Sequence, residues 1–366
     1  MSLHLDAPNL GEKESAALKE CIDSGYVSTV GPFVPHFEKE FARYVGTFRA
    51  VSTQSGTAAI HLALYEMGIG EGDEIIVPVT TFIATVNPLM YLKATPVFVD
   101  IDPYSWDIDP DQVRKAITKK TRAILPVHLF GNPCHMDELI RVSKEYGIPI
   151  VEDATESLGA TFDGHHTGSF GSYGCFSFNG NKIITTGGGG MVVTDNQEAA
   201  DHMKFLANQA RVEGKGYYHT EIGFNYRMTN LEAALGLAQM SRLPDFLKKK
   251  RLLRSIYAEV FNRSSAIKLQ EPHELASSSW WLTGIAVHKD NVDIDGFRKS
   301  LSSIDIPTRR MFCPIVDLPP YRSFCKQDYP VARDMYSRCL CLPSSTLNDP
   351  AEVEAAARRV LEIIES

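Results

Sequence analysis

No stretch of this sequence approaches the roughly 20 consecutive apolar residues that a membrane helix needs, so no spanning helix is expected. The N-terminal run MSLHLDAPNLGEKESAAL lacks the basic head and apolar core of a secretion signal, and a cytoplasmic location is expected. The seven cysteines are odd in number and include no Cys-x-x-Cys pair, a reduced, intracellular pattern and not a disulfide framework. An excess of positive charge is also missing. The formal net charge is −8, which argues against a nucleic-acid partner. The one dense basic cluster, Lys248-Lys249-Lys250-Arg251, falls in a helical pattern with Leu243, Phe246, Leu247, Leu252 and Leu253 and reads as a solvated helix face. The eleven histidines form no ligand pattern; His165-His166 reads as a polar turn, and no metal is expected. Three common motifs are absent. Gly180-Asn181-Lys182 is no Walker loop, because Asn181 separates Gly from Lys and no Ser or Thr follows. Gly187 to Gly190 precede a strand, not the helix that a dinucleotide fingerprint opens, and there is no Gly-x-Ser-x-Gly elbow. Internal repeats and low-complexity linkers are missing too.

What is present is a chain of 366 residues, 44% hydrophobic, long enough for one large and one small domain. Helices are expected over 12–24, ending at Gly25, and over 34–44, where Val34, Phe37, Phe41 and Tyr44 recur at three- and four-residue spacing. A strand end at Ala50-Val51 leads through Ser52 to Thr57 into an apolar helix, 58–67. Strands (74–78, 96–99, 123–127, 149–151) then alternate with helices (82–92, 111–117, 136–146). That alternation predicts an α/β fold with a mainly parallel sheet covered on both faces. Ligands in such folds bind beyond the carboxyl ends of the strands. Three polar groups fall there: Ser55-Gly56-Thr57, Glu152-Asp153, and Ser177 with Lys182. Helices over 230–240 and from 245 to about 261 follow. The second bridges to a smaller domain, with the boundary placed between 243 and 244. Beyond it, strand 282–287 and helices 294–302 and 351–364 are expected. Cys339 and Cys341 read as one side of a strand.

Lys182 stands between an apolar, strand-like run (173–178) and a glycine-rich turn. No Asp, Glu, Lys or Arg other than Lys182 lies between Gly164 and Asp195. An amine in such surroundings loses hydration, which favours its neutral, nucleophilic form; a surface loop lysine is the alternative. Ser55-Gly56-Thr57 opens a helix and can hold a phosphate on its N–H groups, or serve only as a cap. Asp153 at a strand end suits a metal, a nucleotide or solvent when taken alone. Lysine, carboxylate and phosphate cradle together match one cofactor, pyridoxal phosphate: the lysine forms a Schiff base and the carboxylate keeps the pyridine nitrogen protonated. Phe82 either stacks on the ring or packs in the core.

Across residues 25 to 345 the chain resembles the DegT/DnrJ/EryC1/StrS family of sugar-nucleotide aminotransferases, which have the fold type I architecture of pyridoxal phosphate enzymes. The matching segments run in family order: Gly31-Pro32, Ser55-Gly56-Thr57-Ala58-Ala59, Thr80-Thr81-Phe82, Pro96 to Asp100, His128-Leu129-Phe130-Gly131, Glu152-Asp153-Ala154, Ser177 to Lys182, Gly188 to Met191, Asn225-Tyr226-Arg227-Met228 and Ile306-Pro307-Thr308-Arg309. The resemblance implies that Lys182 links to the cofactor and then moves the proton. It implies that Asp153 pairs with the pyridinium, and that Gly56, Thr57 and Ser177 hold the phosphate with Asn225 from a second subunit of a homodimer. Phe82 would stack on the ring, and Arg227, Asn181 and Arg309 would contact substrate. Glu156 stands where many members have glutamine, facing the cofactor's phenolic oxygen; it is expected to be protonated or to alter the pKa there. Phe130-Gly131-Asn132 replaces the usual Tyr-Gly-His, and Phe312 and Val316 replace a common Tyr and His. The Asn179-to-Thr186 segment and Asn132 resemble the branch acting on UDP-linked 4-keto-6-deoxy acetamido sugars. The implied reaction moves an amino group from L-glutamate to the 4-keto group of such a nucleotide-linked hexose. A dehydratase of the same family would carry histidine where Lys182 stands, and a catalytically silent sugar-nucleotide-binding protein would not need Lys182 and Asp153.

Overall fold

A computed structural model of the chain describes residues 3–289 and 292–365. Strands Arg49–Thr53, Gly190–Thr194, Tyr173–Ser177 and Val151–Asp153 are hydrogen-bonded in that order. Strands Thr121–Ile124, Glu74–Pro78 and Thr95–Val99 continue the row. Single parallel bridges, Ile124 to Ile150 and Val127 to Asp153, join the two runs into one sheet. Every strand runs parallel except Gly190–Thr194, which is antiparallel to both its neighbours. The Glu74–Pro78 strand shows why its sequence is a continuous apolar run. Side chains alternate faces, and Ile75 and Val77 enter one hydrophobic core while Ile76 enters another. Both faces of the sheet are therefore covered, as the alternation of elements predicts.

A second, antiparallel sheet is built from Ile267–Leu269, Thr283–Val287, Cys339–Leu342 and Arg309–Arg310. Cys339 and Cys341 are both buried in it. Its core is completed by the helices Leu243–Phe261 and Pro350–Glu365, and by Leu3 from the other end of the chain. Residues 3–7 are stitched there: the Ser344 N–H donates to the Leu5 carbonyl at 2.7 Å and the His4 N–H to Asn348 Oδ1 at 2.8 Å. We propose that the two domains divide at 243/244, with this N-terminal strap lying on the smaller one.

Element limits move by a residue or two from the expected ones. The strand expected at 149–151 is Val151–Asp153, because Pro149 has no N–H to give a ladder. The helices Gln197–Ala207 and Pro330–Arg338 escaped the sequence reading, although Asn196 caps the first by accepting the Ala199 N–H at 3.1 Å. His165-His166 is not a turn. It is the second strand of a small hairpin opposite Thr161–Phe162, and the turn is made by Asp163 and Gly164, at φ 47° and 77°.

The basic cluster also needs correcting. Leu243, Phe246, Leu247, Lys250, Leu253 and Tyr257 share the buried face of their helix, while Leu252 is exposed. Lys250 is only 5% exposed, and its ammonium donates to the carbonyls of Trp281 and Ser344, both at 2.8 Å. Burial pulls its pKa from 10.5 down to about 7, with the Asp6 charge opposing. Between these values the unfolded chain binds the proton that the folded chain releases, so stability rises with pH. In pH-dependent melting, wild type is therefore expected to gain on Lys250→Met as pH climbs from about 7 to about 9.5. A constant difference between the two proteins refutes this role for Lys250.

Candidate active site

The Val151–Asp153 and Tyr173–Ser177 strands run parallel and end side by side, presenting Asp153 and Ser177 beside the N-terminus of the Gly56–Glu66 helix. A cavity of about 430 Å³ lies there. Of the residues singled out in the sequence, Lys182, Asp153, Ser55, Gly56, Thr57, Phe82, Glu156, Ser177, Asn181 and Arg309 all line it. Asn225 and Arg227 do not. Asn225 is exposed on the surface, and the Arg227 carbonyl accepts a hydrogen bond from the Gln54 side-chain amide.

The acidic pair divides its work, because neighbouring residues on a strand face opposite sides. Glu152 is fully buried and takes the N–H groups of Gly168, Phe170 and Gly171, each at 2.7 Å. It also takes His128 Nε2 at 3.0 Å. The Cys134 N–H donates to His128 Nδ1 at 3.1 Å, so the ring proton sits on Nε2. Glu152 is thus a structural anchor. Asp153 faces the cavity, and its oxygens are fixed by three donors: Thr85 Oγ1 at 2.6 Å, Thr155 Oγ1 at 2.6 Å and the Thr155 N–H at 3.1 Å.

The side chain of Lys182 is 14% exposed, and its Nζ lies 3.7 Å from Glu156 Oε1. Burial lowers the Lys182 pKa and the Arg309 charge adds to this, against the pull of Glu156 and Asp153. Burial raises the Glu156 pKa, with Asp153 adding, against Lys182, the Phe130 N–H and Arg309. That N–H donates to Glu156 Oε2 at 2.8 Å. Desolvation thus moves both partners toward their neutral forms, an amine able to act as nucleophile or base beside an acid able to hold a proton.

At the other end of the cavity Ser55 caps its helix, accepting the Ala58 N–H at 3.1 Å. The first-turn N–H groups, including those of Gly56 and Thr57, have no intrahelical acceptor and suit an anion. Gly56 has no room for a side chain: a Cβ would lie 2.8 Å from Ser177 Cβ and 3.0 Å from Thr155 Cγ2. Gly190 permits a similar close approach: a Cβ there would lie 2.5 Å from the Ser55 carbonyl. Phe82 is 54% exposed and stands 5.7 Å from the Phe312 ring, so packing in the core is not its role.

Sequence reading missed Trp281, Thr85 and Thr155. The Trp281 ring lies 3.9 Å from Lys182 Nζ, and its indole N–H donates to the Asn181 carbonyl at 2.6 Å. The Trp280-Trp281 pair opening a strand was the available signal. Asn181 and Arg309, expected to meet substrate, are both held by Asp6. Its Oδ2 lies 3.0 Å from Asn181 Nδ2 and 2.8 Å from Arg309 Nη2.

The donor set fits pyridoxal phosphate. A helix N-terminus with no space for a Cβ suits the phosphate, a thrice-bonded carboxylate suits the ring nitrogen, and a desolvated amine suits the aldehyde. Fold and site together define an aminotransferase of the fold type I, pyridoxal phosphate class. Residues 8–361 match the sequence model of the DegT/DnrJ/EryC1/StrS aminotransferase family, and the chain belongs to that family. It is 38% identical to the GDP-perosamine synthase of Escherichia coli O157:H7 over 337 residues, covering 92% of each chain. It is 40% identical to the GDP-perosamine synthase of Caulobacter vibrioides over 316 residues, covering 84% of each. Among solved structures it is similar to Helicobacter pylori PseC, an aminotransferase involved in the biosynthesis of pseudoaminic acid, at a TM-score of 0.94 and 26% identity over the whole of both chains.

Gly56→Ala is expected to leave the fold intact by circular dichroism and to weaken pyridoxal phosphate binding roughly tenfold or more, because the added methyl displaces Ser177 or the helix start. Unchanged affinity on spectrophotometric titration removes Gly56 from the phosphate site.

Proposed function

We propose that the protein transfers an amino group from L-glutamate to the 4-keto group of a nucleotide-linked 4-keto-6-deoxy hexose, for surface-glycan synthesis. The observation that carries this reading is the Lys182 amine, desolvated and 3.7 Å from Glu156, in one cavity with Asp153 and a helix N-terminus. Bound pyridoxal phosphate supplies the electron sink that lets a proton leave the carbon bearing the amino group. Asp153, fixed by Thr85 and Thr155, would hold the positive charge at the ring nitrogen. Gly56, Thr57, Ser55 and Ser177 would hold the phosphate, and Phe82 would pack against the ring. Lys182 Nζ would accept and return the proton that moves between cofactor and substrate carbons, with the Glu156 carboxyl, 3.7 Å away, as its near proton partner. Phe312, Trp281 and Phe82 limit the access of water.

Asn225 and Arg227 lie outside this cavity, and Asn225 is exposed, as are Tyr217, Tyr218 and Ile222 earlier in the same segment. We read Asn225 as a phosphate ligand for the cavity of a second copy in a homodimer, and Arg227 as a contact for an anionic part of the substrate. The family supports an amino acceptor that is a sugar. The GDP-perosamine synthases among the relatives favour a GDP-linked acceptor over the UDP-linked acetamido sugar read from the Asn179-to-Thr186 segment.

Glutamate alone is expected to bleach the visible absorbance of the loaded enzyme, and a nucleotide ketosugar to restore it. GDP-, UDP- and dTDP-linked 4-keto-6-deoxy sugars assayed side by side identify the acceptor. Lys182→Ala is expected to lose turnover by at least roughly 10²- to 10⁴-fold. An enzyme whose spectrum ignores glutamate and every ketosugar does not catalyse this reaction.

A further inference from the structure

Arg309 and Lys182 are the only cationic side chains lining the cavity among the described residues. Arg309 sits on the two-residue strand opposite Cys341, at the edge of the smaller sheet. Its side chain is one-third exposed, and Asp6 is the only carboxylate within ion-pair distance of it among the described residues. Asp6 is itself mostly buried and held in place from both sides. The Leu5 carbonyl takes the Ser344 N–H at 2.7 Å, the Ala7 carbonyl takes Ser345 Oγ at 2.9 Å, and His4 exchanges two bonds with the Asn348 side chain, each 2.8 Å. The same Asp6 oxygen takes the Asn181 amide, so it keeps one donor if Arg309 turns away.

We propose that Asp6 is the resident counter-ion of Arg309 and sets how tightly the cavity holds the carboxylate of the amino donor. The inference rests on the glutamate-to-ketosugar reading above. In that reaction one cavity alternates between two unlike substrates. Glutamate and the keto acid it leaves behind carry carboxylates, which the planar guanidinium of Arg309 can grip through two nitrogens. The ketosugar carries no carboxylate, and its anionic part is the diphosphate, read above as the partner of Arg227, so during its half of the cycle Arg309 has no carboxylate to grip. A bare guanidinium would then retain the keto acid or attract free phosphate. Asp6 lies within reach to neutralise it. The donor carboxylate must compete with this fixed charge, so donor binding is weaker than Arg309 alone would give, and keto acid release is correspondingly faster. Asp6 acts through Arg309 and is a positioning residue.

The test uses loaded enzyme and glutarate, which has the carboxylates of the donor and no amine to react. Glutarate affinity is measured by calorimetry for wild type, Asp6→Asn and Arg309→Gln, with KM for glutamate and for the accepted ketosugar alongside. Asp6→Asn is expected to tighten glutarate binding and lower the glutamate KM, each roughly two- to tenfold, the range set by a partly exposed ion pair. Inorganic phosphate is expected to inhibit the ketosugar half-reaction of Asp6→Asn more strongly than that of wild type. Arg309→Gln is expected to weaken glutarate binding. If Arg309→Gln weakens glutarate binding but Asp6→Asn leaves it equal or weaker, the counter-ion idea fails and the donor site stands. It fails in the same way if Asp6→Asn lowers the melting temperature and loosens glutarate together, since Asp6 then only fastens the strap. If Arg309→Gln leaves glutarate binding unchanged, Arg309 is not the donor site and the inference falls with it. If wild type does not react with glutamate at all, the proposed reaction itself fails.

Discussion

An amine kept from water beside two carboxylates is the constraint on which the rest of this structure depends. The proposed role of Lys182 requires burial to outweigh the pull of Glu156 and Asp153, and burial is the largest influence on both Lys182 and Glu156. Much of the surrounding architecture maintains that balance. Trp281 lays its ring under the amine and ties the preceding residue, Asn181, by its carbonyl. The main chain at Trp281 is in turn gripped by Lys250 from the helix behind. Two lysines far apart in sequence are thus linked through one tryptophan.

The sheet supplies the other half of the site by simple alternation. Glu152 and Asp153 are adjacent, so they point to opposite faces of the sheet, and both are buried. Glu152 fastens the 168–171 loop and His128, which steadies the strand end. Asp153 is then presented to the cavity in a fixed orientation by Thr85 and Thr155. The close approach of Gly56 to Ser177 brings the helix N-terminus against the end of the neighbouring strand. The placement of Asp153 and Ser177 relative to the helix start therefore follows from strand register.

Much of this was legible in the sequence because it lies in local pattern. Strands such as Glu74–Pro78 announce themselves as apolar runs, and Ser55-Gly56-Thr57 and Lys182 announce themselves as polar interruptions of apolar text. What escaped depends on contacts between distant residues. Asp6 is an ordinary acidic residue until the fold sets it against Arg309 and Asn181. Lys250 looks like part of a solvated run because three neighbours are also basic; only helical phase, with Phe246, Leu247 and Leu253 on its side, assigns it to the interior. Trp281 gives no sign in sequence that it faces an amine 99 positions earlier, at Lys182. Asn225 and Arg227 carry a motif whose place in a cavity the single chain does not provide.

The strap of residues 3–7 has a consequence for how the molecule is made. His4 and Asn348 are bonded across 344 positions. A ribosome adds roughly 5–20 residues each second, so the first few residues emerge tens of seconds before their partners exist. The large sheet can form in the meantime, but Asp6 cannot be fixed against Arg309 and Asn181 until residues 344–348 have been made. In the nascent chain the strands that carry Asp153 and Ser177 therefore exist well before the contacts that hold Asp6.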